Sequence, residues 1–463
     1  MAHHDLVIVG SGSGNSVVTK ELRDLDIAIV DEGTFGGTCL NVGCIPTKMF
    51  IVPADRVVEA RDARRLGVSF GPPEVDWPAV RDRVFGRIDP ISKSGEEYRR
   101  GQPTVTLYRT RARFTGERTL RLDTGEELTA DRVVVAVGSR PLTLPVDGLR
   151  EVDPGRGVHT SDTVMRMDAL PRRMVVVGGG FVACEMAHVF SAFGVTVTVV
   201  QRSSRLLMRE EKSVSERYTE IAESRHDVRL LTTVSAAERR DDTWQLTLDG
   251  PQGTEHVQTD AVLLAVGRQA NSDLVDAAAG GLETHADGRV VTDAEQRTSA
   301  RGVWALGDVA SADQLKHVAN EEARIVAHNL AVDLGRVPGP PARQDGRPVP
   351  HAVFGHPQVA SFGPTAAELA ESGTAHVSAT QDLGDVAYGW ALEDTTGFLT
   401  VHASPDGRVL AAHCIGPHAS SIIQPLVQAA SLGQRADEVA RGQYWVHPAL
   451  SEVVENALLG LSD

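Results

Sequence analysis

The chain has 463 residues, of which 41% are hydrophobic and 23% charged, and its formal net charge is −16. This length predicts several domains in a globular protein, and the acidic balance argues against non-specific nucleic-acid binding. No stretch is long and apolar enough to span a membrane, and four cysteines are too few for a secreted disulfide framework. Without a signal-peptide pattern near the start, the expected location is the cytoplasm.

The first predicted element is a β-branched strand, Leu6–Val9, that runs into a glycine-rich turn. A helical pattern follows, and then a second apolar strand, Ile27–Val30. This order predicts a dinucleotide-binding βαβ unit, in which the amides of the turn and of the helix start can cradle a pyrophosphate. The residues predicted to form that cradle are Gly10, Gly12, Ser13 and Gly14.

The end of the second strand indicates how this unit would hold a ribose. Asp31 stands there, about twenty residues after the turn, where an acid can hydrogen-bond a ribose 2′-hydroxyl. Asn15 occupies the place of the usual third glycine, a change that affects only the packing of helix on strand.

Two cysteines, Cys39 and Cys44, stand five residues apart just after Gly36 and Gly37. Glycines adopt backbone angles closed to other residues, so the chain can approach a cofactor closely here. A helix beginning near Thr38 would direct its N-terminal dipole at the thiols and favour the reactive thiolate. The pair is therefore predicted to form a redox-active disulfide.

Cysteines can also be buried packing residues or metal ligands. A zinc site usually combines two ligand pairs, and the sequence contains no second pair, so no metal site is predicted. Cys184 and Cys414 have no thiol-chemistry motif around them and are predicted to be packing residues.

A second unit repeats the first. Strand Met174–Val177 runs into the turn Gly178–Gly180 and a helical pattern, and strand Val195–Val200 follows. Each unit also has a later apolar strand that ends in glycine, Gly138 in the first and Gly267 in the second. The repeat predicts two dinucleotide-binding folds, whereas two ordinary tight turns are the alternative.

The second unit lacks an acid at the end of its second strand. Gln201 stands there, and Arg202 and Arg205 follow. An acid would accept the 2′-hydroxyl of NADH, whereas guanidinium groups bind phosphate through bidentate, charge-assisted bonds. The unit is therefore predicted to bind NADPH, with solvated surface arginines as the alternative.

The segment 335–350 is rich in Pro, Gly and Arg and is predicted to be a linker to a different kind of domain. Near the end of that domain stand His447 and Glu452, five residues apart. A histidine titrates in the range needed to protonate a leaving thiol, and a carboxylate can raise its basicity. The pair predicts a catalytic acid–base group, whereas a capped helix beside a surface histidine is the alternative.

The cysteine segment, the two glycine-rich units and the His-Pro element resemble the class I pyridine nucleotide-disulfide oxidoreductases over essentially the whole chain. The resemblance implies an α/β fold with two Rossmann-like dinucleotide-binding domains and a C-terminal α+β dimerisation domain. It places an FAD-binding domain at 1–150 and 268–335, an NADPH-binding domain at 151–267, and the dimerisation domain at 340–463. It also implies a homodimer in which His447 comes from the other subunit.

The resemblance assigns the first unit to FAD and adds Asp308, which would contact the ribityl chain of FAD, although Asp308 could instead cap a helix. It implies that Lys48 and Glu185 form an ion pair near the flavin, where a cation stabilises the reduced state. Cofactor contacts are also implied for Thr38, Gly138 and Gly267.

In the second unit, the resemblance implies that Phe181 covers the nicotinamide pocket, although simple packing would explain an aromatic there equally well. Ala183 replaces the third glycine of the turn, as is common among NADPH users of the family. Both residues therefore support an NADPH site.

The resemblance also implies a reaction cycle. NADPH reduces FAD, and the flavin reduces the Cys39–Cys44 disulfide. Cys39 then attacks a small-molecule disulfide, Cys44 resolves the mixed disulfide, and His447 protonates the departing thiol.

Several stretches, among them 84–91, 384–390 and 441–450, resemble the mycothione reductases and indicate mycothiol disulfide as the substrate. Branches with an additional C-terminal redox pair are disfavoured, since no cysteine follows Cys414. An NAD-dependent dihydrolipoyl dehydrogenase is the alternative, although that branch expects an acid where Gln201 stands. A non-catalytic flavin-binding scaffold is a further alternative.

Overall fold

The computed structural model describes residues 2–461. The chain divides into two compact units. Unit 1 comprises Met1–Pro46, Arg81–Leu142 and Gly267–Gly346, and unit 2 comprises Thr47–Val80, Thr143–Val266 and Arg347–Asp463. Within the described residues, no helix has both the length and the apolar character needed to cross a membrane.

The strands, in chain order, are β1 (Ala2–Val9), β2 (Ile27–Val30), β3 (Val105–Tyr108), β4 (Ala112–Gly116), β5 (Thr119–Leu122), β6 (Glu127–Val135), β7 (Ser139–Pro141), β8 (Val158–His159), β9 (Arg173–Val177), β10 (Thr196–Val200), β11 (Asp227–Arg229), β12 (Thr233–Arg240), β13 (Thr243–Gly250), β14 (Gly253–Thr259), β15 (Ala261–Leu264), β16 (Arg268–Ala270), β17 (Val303–Ala305), β18 (His351–Val353), β19 (Gln358–Phe362), β20 (Val377–Asp382), β21 (Phe398–Ala403) and β22 (Val409–Gly416).

The α-helices are α1 (Gly37–Asn41), α2 (Cys44–Asp62), α3 (Trp77–Arg100), α4 (Ser161–Val164), α5 (Phe181–Ala192), α6 (Lys212–Glu223), α7 (Lys316–Asp333), α8 (Ala366–Glu371), α9 (Ala387–Leu392), α10 (Ala419–Ile422), α11 (Gln424–Ser431), α12 (Ala436–Arg441) and α13 (Glu452–Leu459).

Unit 1 is built on a sheet with the order β3-β2-β1-β6-β5-β4, in which β17 also pairs with β6. The pairs among β3, β2, β1, β6 and β17 are parallel, whereas β4 and β5 form an antiparallel extension. All four residues of β2 are buried. Parallel strands covered on both faces show such continuous apolar runs, which is why the sequence pattern identified them.

Unit 2 contains a second parallel sheet with the order β11-β10-β9-β15-β8 and an antiparallel meander of β12, β13 and β14. Helix α5 follows β9 and is almost entirely buried. A helix that is apolar around most of its circumference belongs in a core, and α5 joins the two neighbouring strands of a βαβ unit.

Unit 2 also contains a five-stranded antiparallel sheet with the order β18-β19-β22-β21-β20. One face contributes Phe362, Leu399, Val401 and Cys414 to an apolar core with the C-terminal helices. Side chains alternate between the faces of a strand, so the other face carries polar residues such as Ser361 and His413. This sheet is the C-terminal α+β part of the fold, and the predicted fold class is confirmed.

The two glycine-rich turns have the same backbone conformation at their first glycine, with φ +109° at Gly10 and +127° at Gly178. The segments after the turns differ, because residues Ser13–Val17 form only a 3₁₀ turn where the sequence pattern predicts a helix. A glycine, an asparagine and a β-branched valine in this segment are poor helix formers. The predicted helix of the first unit is therefore wrong, whereas the helix of the second unit is α5. The predicted domain boundaries stay a prediction.

Candidate active site

The cysteine pair lies where two helices meet in sequence. Cys39 is inside the short helix α1, and Cys44 is the first residue of α2. The helix expected to begin near Thr38 is α1, and it ends before Cys44 because the chain leaves helical geometry at Val42. A Cβ at Gly43 would lie 2.9 Å from the carbonyl oxygen of Thr38, so glycine permits the close return of chain that brings the thiols together.

Both cysteines are thiols, and Cys44 forms a side-chain hydrogen bond with Cys39. That hydrogen bond and burial raise the pKa of Cys39, whereas the ammonium group of Lys316 acts in the opposite direction. Two adjacent thiolates would repel each other, which further disfavours ionisation of Cys39 beside Cys44. A thiol in this state becomes a nucleophile only when a base removes its proton.

The first glycine-rich turn is fixed by the carboxylate of Asp31, a contact that the sequence did not predict. Its Oδ2 accepts the amide of Ser11 at 2.7 Å and its Oδ1 accepts the amide of Gly33 at 2.7 Å. A Cβ at Gly37 would lie 2.7 Å from the Cα of Gly12. The backbone of the turn is therefore in direct contact with the segment before the cysteines, a close approach that requires glycine.

Lys316 was not predicted and lies at the same turn. Its ammonium group donates a hydrogen bond to the Ser13 hydroxyl at 2.8 Å. A cation beside turn amides adds to their attraction for a pyrophosphate. No local sequence signal marks this residue, because Lys316 is three hundred and three positions away from Ser13.

Asp308 lies in a 3₁₀ turn after β17, and its Oδ2 accepts the hydroxyl of Ser139 at 2.7 Å. Arg268 donates to the same hydroxyl at 2.8 Å. The Gly307 amide donates to Glu322 at 2.6 Å, and burial raises the pKa of Glu322 to about 7. Of these residues, the sequence pattern identified only Asp308.

Lys48 and Glu185 are paired in the structure, as the resemblance implied. The Lys48 ammonium group lies 2.6 Å from Oε1 of Glu185, which also accepts the amide of Phe354 at 2.8 Å. The same ammonium group lies 4.3 Å from the centre of the Phe354 ring. Glu185 is only 4% exposed, so a buried carboxylate fixes the position of this cation.

The second glycine-rich turn is arranged around Gln201. A Cβ at Gly179 would lie 2.7 Å from the Gln201 amide nitrogen, so the Gln201 side chain covers the turn. Arg202 is exposed and makes no hydrogen bond or ion pair within residues 2–461. Arg205 is held by the Ser215 hydroxyl at 3.2 Å and lies 3.6 Å from Glu216.

The other predicted residues of this turn lie where the pattern implied. Gly180 precedes α5, and Phe181 and Ala183 are in its first turn. Phe181 is exposed, so its side chain is available to a ligand, whereas Ala183 is buried. Gly138 and Gly267, at the ends of the later strands, both have positive φ, and Thr38 lies in α1.

His447 and Glu452 form the predicted dyad. Nδ1 of His447 lies 2.7 Å from Oε1 of Glu452, and the other carboxylate oxygen accepts the Ala449 amide at 3.0 Å. The hydrogen bond from His447 lowers the pKa of Glu452. An ionised acceptor at Nδ1 requires the proton on that nitrogen, so Nε2 is the nitrogen available for proton transfer.

The dyad lies on an exposed surface of unit 2. The His447 side chain is 69% exposed, and Tyr444, Val446 and Trp390 are exposed apolar side chains of the same unit. Of these, Tyr444 and Val446 stand beside His447 in sequence, so large apolar side chains are exposed next to the dyad along the chain. Cys184 and Cys414, by contrast, are both buried, as expected for packing residues.

Comparisons with known proteins match almost the whole chain. The family model of the pyridine nucleotide-disulphide oxidoreductases matches residues 4–323, and the model of their dimerisation domain matches residues 349–458. The chain is 50% identical to a mycothione reductase of Mycobacterium tuberculosis over 100% of both chains. It is 32% identical to a dihydrolipoyl dehydrogenase of Halobacterium salinarum, covering 98% of this chain and 95% of that protein.

Among solved structures, the chain is similar to an HOCl-induced flavoprotein disulfide reductase, RclA, from Escherichia coli, determined as a Cu(II) complex. The TM-score is 0.84 at 24% sequence identity, and the match covers 97% of this chain and 98% of the other. This similarity supports the fold.

Proposed function

The chain belongs to the pyridine nucleotide-disulphide oxidoreductases, and from that premise we propose that it uses NADPH to reduce mycothiol disulfide (mycothione) to two molecules of mycothiol. Membership makes the chain an FAD-containing disulfide oxidoreductase that uses a nicotinamide nucleotide. The observation that carries the substrate proposal is the 50% identity with a mycothione reductase over both full lengths.

The residues of unit 1 fit FAD. The backbone at the first turn is closely packed at Gly12 and Gly37, and the turn has a carboxylate, Asp31, and a cation, Lys316, beside it. We propose that this turn holds the pyrophosphate and that Asp308 holds the ribityl chain. When bound, FAD supplies a two-electron relay between the nicotinamide and the cysteine pair. Lys48, fixed by its carboxylate partner, is proposed to supply a positive charge to FAD.

The residues after β10 support NADPH rather than NADH. Gln201 carries no charge that would repel a 2′-phosphate, and the exposed guanidinium group of Arg202 is available to bind one. Arg205 lies close by in sequence with its guanidinium partly engaged by Glu216. The proposal therefore assigns the larger contribution to Arg202.

The two cysteines are proposed to have different tasks. Cys39 attacks the substrate disulfide, and the sulfur–sulfur bond breaks as a mixed disulfide forms with release of one thiol. Cys44 then attacks the mixed disulfide, releases the second thiol and restores the Cys39–Cys44 disulfide. The raised pKa of Cys39 explains why the step needs a base.

His447 is proposed as that base and as the acid that protonates the departing thiol. The carboxylate of Glu452 holds Nδ1 of His447 and keeps the imidazole in one orientation. We propose that His447 acts at the cysteine pair of a second subunit. The exposed dyad and the match to the family's dimerisation domain support this arrangement.

The test is turnover of FAD-loaded protein with NADPH or NADH on mycothiol disulfide, lipoamide disulfide and glutathione disulfide. A strong preference for mycothiol disulfide with NADPH is expected. The matched control is Cys39→Ser, which removes the attacking sulfur and should abolish disulfide reduction while FAD stays bound and reducible. Disulfide reductase activity retained in that variant would contradict the proposed mechanism.

The 32% identity with a dihydrolipoyl dehydrogenase supplies the second candidate. Activity confined to lipoamide and coupled to NAD would establish that candidate, and the substrate proposal would then be wrong while the cysteine chemistry remained. Failure of NADPH and NADH to bleach the bound flavin would instead indicate a non-catalytic flavoprotein.

A further inference from the structure

A buried cluster in unit 2 consists of three side chains that the proposed reaction does not use, Glu211, His402 and His413. One carboxylate oxygen and one ring nitrogen of each histidine all lie within 4.8 Å of one another. The residues are 9%, 2% and 1% exposed, respectively. Charged and ionisable groups are rarely buried to this extent unless they are paired or coordinate an ion.

The sheet register explains why the histidines meet. On β21 and β22, His402 pairs with Ala411 and His413 pairs with Thr400. His402 and His413 are therefore diagonal neighbours on one face of the sheet, within reach of long side chains. Glu211 approaches from the residue before α6 and is anchored by the amide of Ala366 at 2.8 Å.

The hydrogen bonds define which nitrogen of His413 is free. Nε2 lies 3.2 Å from the carbonyl oxygen of Pro364. A carbonyl oxygen only accepts, so Nε2 carries the proton and Nδ1 has a lone pair. Within the described part of the chain, Nδ1 of His413 is buried without a hydrogen-bond partner.

His402 presents a second unsatisfied nitrogen. Its Nδ1 lies 2.7 Å from the hydroxyl of Ser378, which fixes the ring orientation, and its Nε2 has no hydrogen-bond partner in residues 2–461. The distance from Nε2 to the Glu211 carboxylate is 3.7 Å, longer than a hydrogen bond. Each unsatisfied buried polar atom costs about 1–3 kcal/mol, so an occupant that contacts both nitrogens would stabilise the fold.

The donor set selects the kind of occupant. Two imidazole nitrogens and one carboxylate oxygen suit Zn²⁺ and related transition metals, whereas Ca²⁺ and Mg²⁺ prefer oxygen ligands throughout. Tetrahedral Zn²⁺ with bonds of about 2.0–2.1 Å has ligand atoms about 3.3 Å apart. From spacings within 4.8 Å, this geometry requires side-chain movements of at most about 1.5 Å.

We propose that Glu211, His402 and His413 form a site for a divalent transition-metal ion of the Zn²⁺ class, completed by a water molecule. The ion would connect the start of α6 to β21 and β22, so its role is structural. The proposal does not depend on the proposed function, because none of the three residues is assigned to nucleotide or disulfide chemistry.

The test uses FAD-loaded protein in its oxidised state, so that a closed Cys39–Cys44 disulfide cannot bind metal. After chelator treatment, Zn²⁺ binding is measured by equilibrium dialysis and by the midpoint of thermal unfolding. One ion per chain and a higher midpoint are expected. Co²⁺ should produce the visible absorption of a tetrahedral site.

Two variants remove ligands in different ways. Glu211→Gln keeps the shape and the hydrogen bond to the Ala366 amide, and His413→Asn removes a nitrogen ligand. Each should weaken Zn²⁺ binding by more than about 100-fold, beyond the 10- to 100-fold cost of losing an outer-shell partner. His3→Asn and His328→Asn, which change histidines elsewhere in the chain, are matched controls and should keep wild-type affinity.

The proposal would be overturned if the wild-type protein bound no stoichiometric Zn²⁺. It would also be overturned if Glu211→Gln retained wild-type affinity and the Co²⁺ spectrum. In either case the cluster would be a polar contact closed by water or by protonation of His402. Glu211→Gln keeps the test decisive even if His413→Asn fails to fold.

Discussion

The two glycine-rich turns are alike in backbone and opposite in charge. A Cβ at Gly10 would lie 2.2 Å from the carbonyl oxygen of Ala136, and a Cβ at Gly178 would lie 2.2 Å from that of Ala265. Each turn thus presses against the end of the later strand of its own sheet. The glycine requirement is therefore a property of the fold, whichever nucleotide the turn holds.

The groups around the turns differ. At the first turn, Asp31 binds two backbone amides, and Asp308 and Glu322 lie in the same unit. At the second turn, neutral Gln201 covers the backbone, and the guanidinium group of Arg202 is exposed. The comparison separates two tasks: we propose that the shared turn backbone holds phosphate, and that a few side chains after the second strand determine which nucleotide is accepted.

The largest effects are expected from alanine at the first glycine of each turn. Gly10→Ala and Gly178→Ala place a Cβ against a carbonyl oxygen at positive φ, which should cost more than about 4 kcal/mol locally. Gly10→Ala should yield protein without FAD. Gly178→Ala should retain FAD but lose NADPH-dependent turnover by more than about 1000-fold, since this loss corresponds to about 4 kcal/mol. Flavin absorbance measures the retention of FAD, and steady-state kinetics measure the NADPH-dependent turnover.

A matched control is available at Gly125, which has φ +87° but no heavy atom within 4 Å of the position that a Cβ would occupy. Gly125→Ala should have a much smaller effect than either turn variant. If Gly178→Ala lost FAD as readily as Gly10→Ala, the two turns would not serve separate nucleotides.

The carboxylates of unit 1 predict a pH dependence that the second turn lacks. Burial raises the pKa of Glu322 to about 7 from 4.5, so the folded chain holds this proton more tightly than the unfolded chain. The contribution of Glu322 to the free energy of unfolding is unaffected below the pKa in the unfolded chain. It falls as the pH rises between the unfolded and folded pKa values, and it is constant above the folded pKa. Glu322→Gln should therefore stabilise the protein at pH 8 by up to about 3 kcal/mol.

Denaturant unfolding with excess FAD at several pH values measures this difference. At pH 4, where both forms of the chain hold the proton, Glu322→Gln and wild type should differ little. Glu321→Gln is the neighbouring control, since Glu321 is only partly buried and pairs with Arg324 on the same helix. Equal stability of wild type and Glu322→Gln at pH 8 would contradict the prediction.

Gln201→Glu would make the second turn resemble the first in charge. The new carboxylate should repel the 2′-phosphate and accept a ribose 2′-hydroxyl. We expect kcat/KM for NADPH to fall about 100-fold, a change of about 3 kcal/mol, and kcat/KM for NADH to rise. Gln201→Met, which is similar in size and uncharged, is the control and should leave the preference for NADPH largely unchanged. If Gln201→Glu also left that preference unchanged, position 201 would not select the nucleotide.

The smallest expected effect is the loss of NADPH affinity when Arg202 or Arg205 is replaced. Arg202→Ala should weaken NADPH binding about 10-fold with little effect on NADH, which is the size of one charge-assisted contact, about 1.4 kcal/mol. Arg205→Ala should have a smaller effect, because the Arg205 guanidinium already lies near Glu216. Titration of each variant with NADPH and NADH measures the two losses of affinity. A larger loss of NADPH affinity in Arg205→Ala than in Arg202→Ala would show that Arg205 is the main phosphate contact.

Local sequence patterns predicted the parts of the fold that depend on local physics. Apolar runs ending in glycine identified the strands of both parallel sheets, and the positive φ of Gly10 and Gly178 explains the need for glycine. The sequence pattern did not predict the 3₁₀ turn that replaces the helix after Gly10. It also did not predict that the helix containing Cys39 ends at Val42. Poor helix formers explain the first difference, and the close return of the chain at Gly43 explains the second.

The residues that sequence reasoning missed are those joined over long separations. Lys316 meets Ser13, and Arg268 meets Ser139, through contacts that no local motif encodes. His402 and His413 become neighbours only through strand register. Lys48 and Glu185 were paired in advance only by resemblance to a family, because one hundred and thirty-seven positions separate them.

The ion pair of Lys48 with Glu185 has a practical consequence, because lysine is scarce in this chain. Only five lysines occur, at positions 20, 48, 93, 212 and 316. Reductive methylation with ¹³C-formaldehyde would therefore give a lysine spectrum of five methyl signals, few enough to assign by single substitutions. The signals of Lys48 and Lys316, held by Glu185 and Ser13, should shift on addition of FAD if these residues lie at the cofactor as we propose, in a protein of 49.5 kDa.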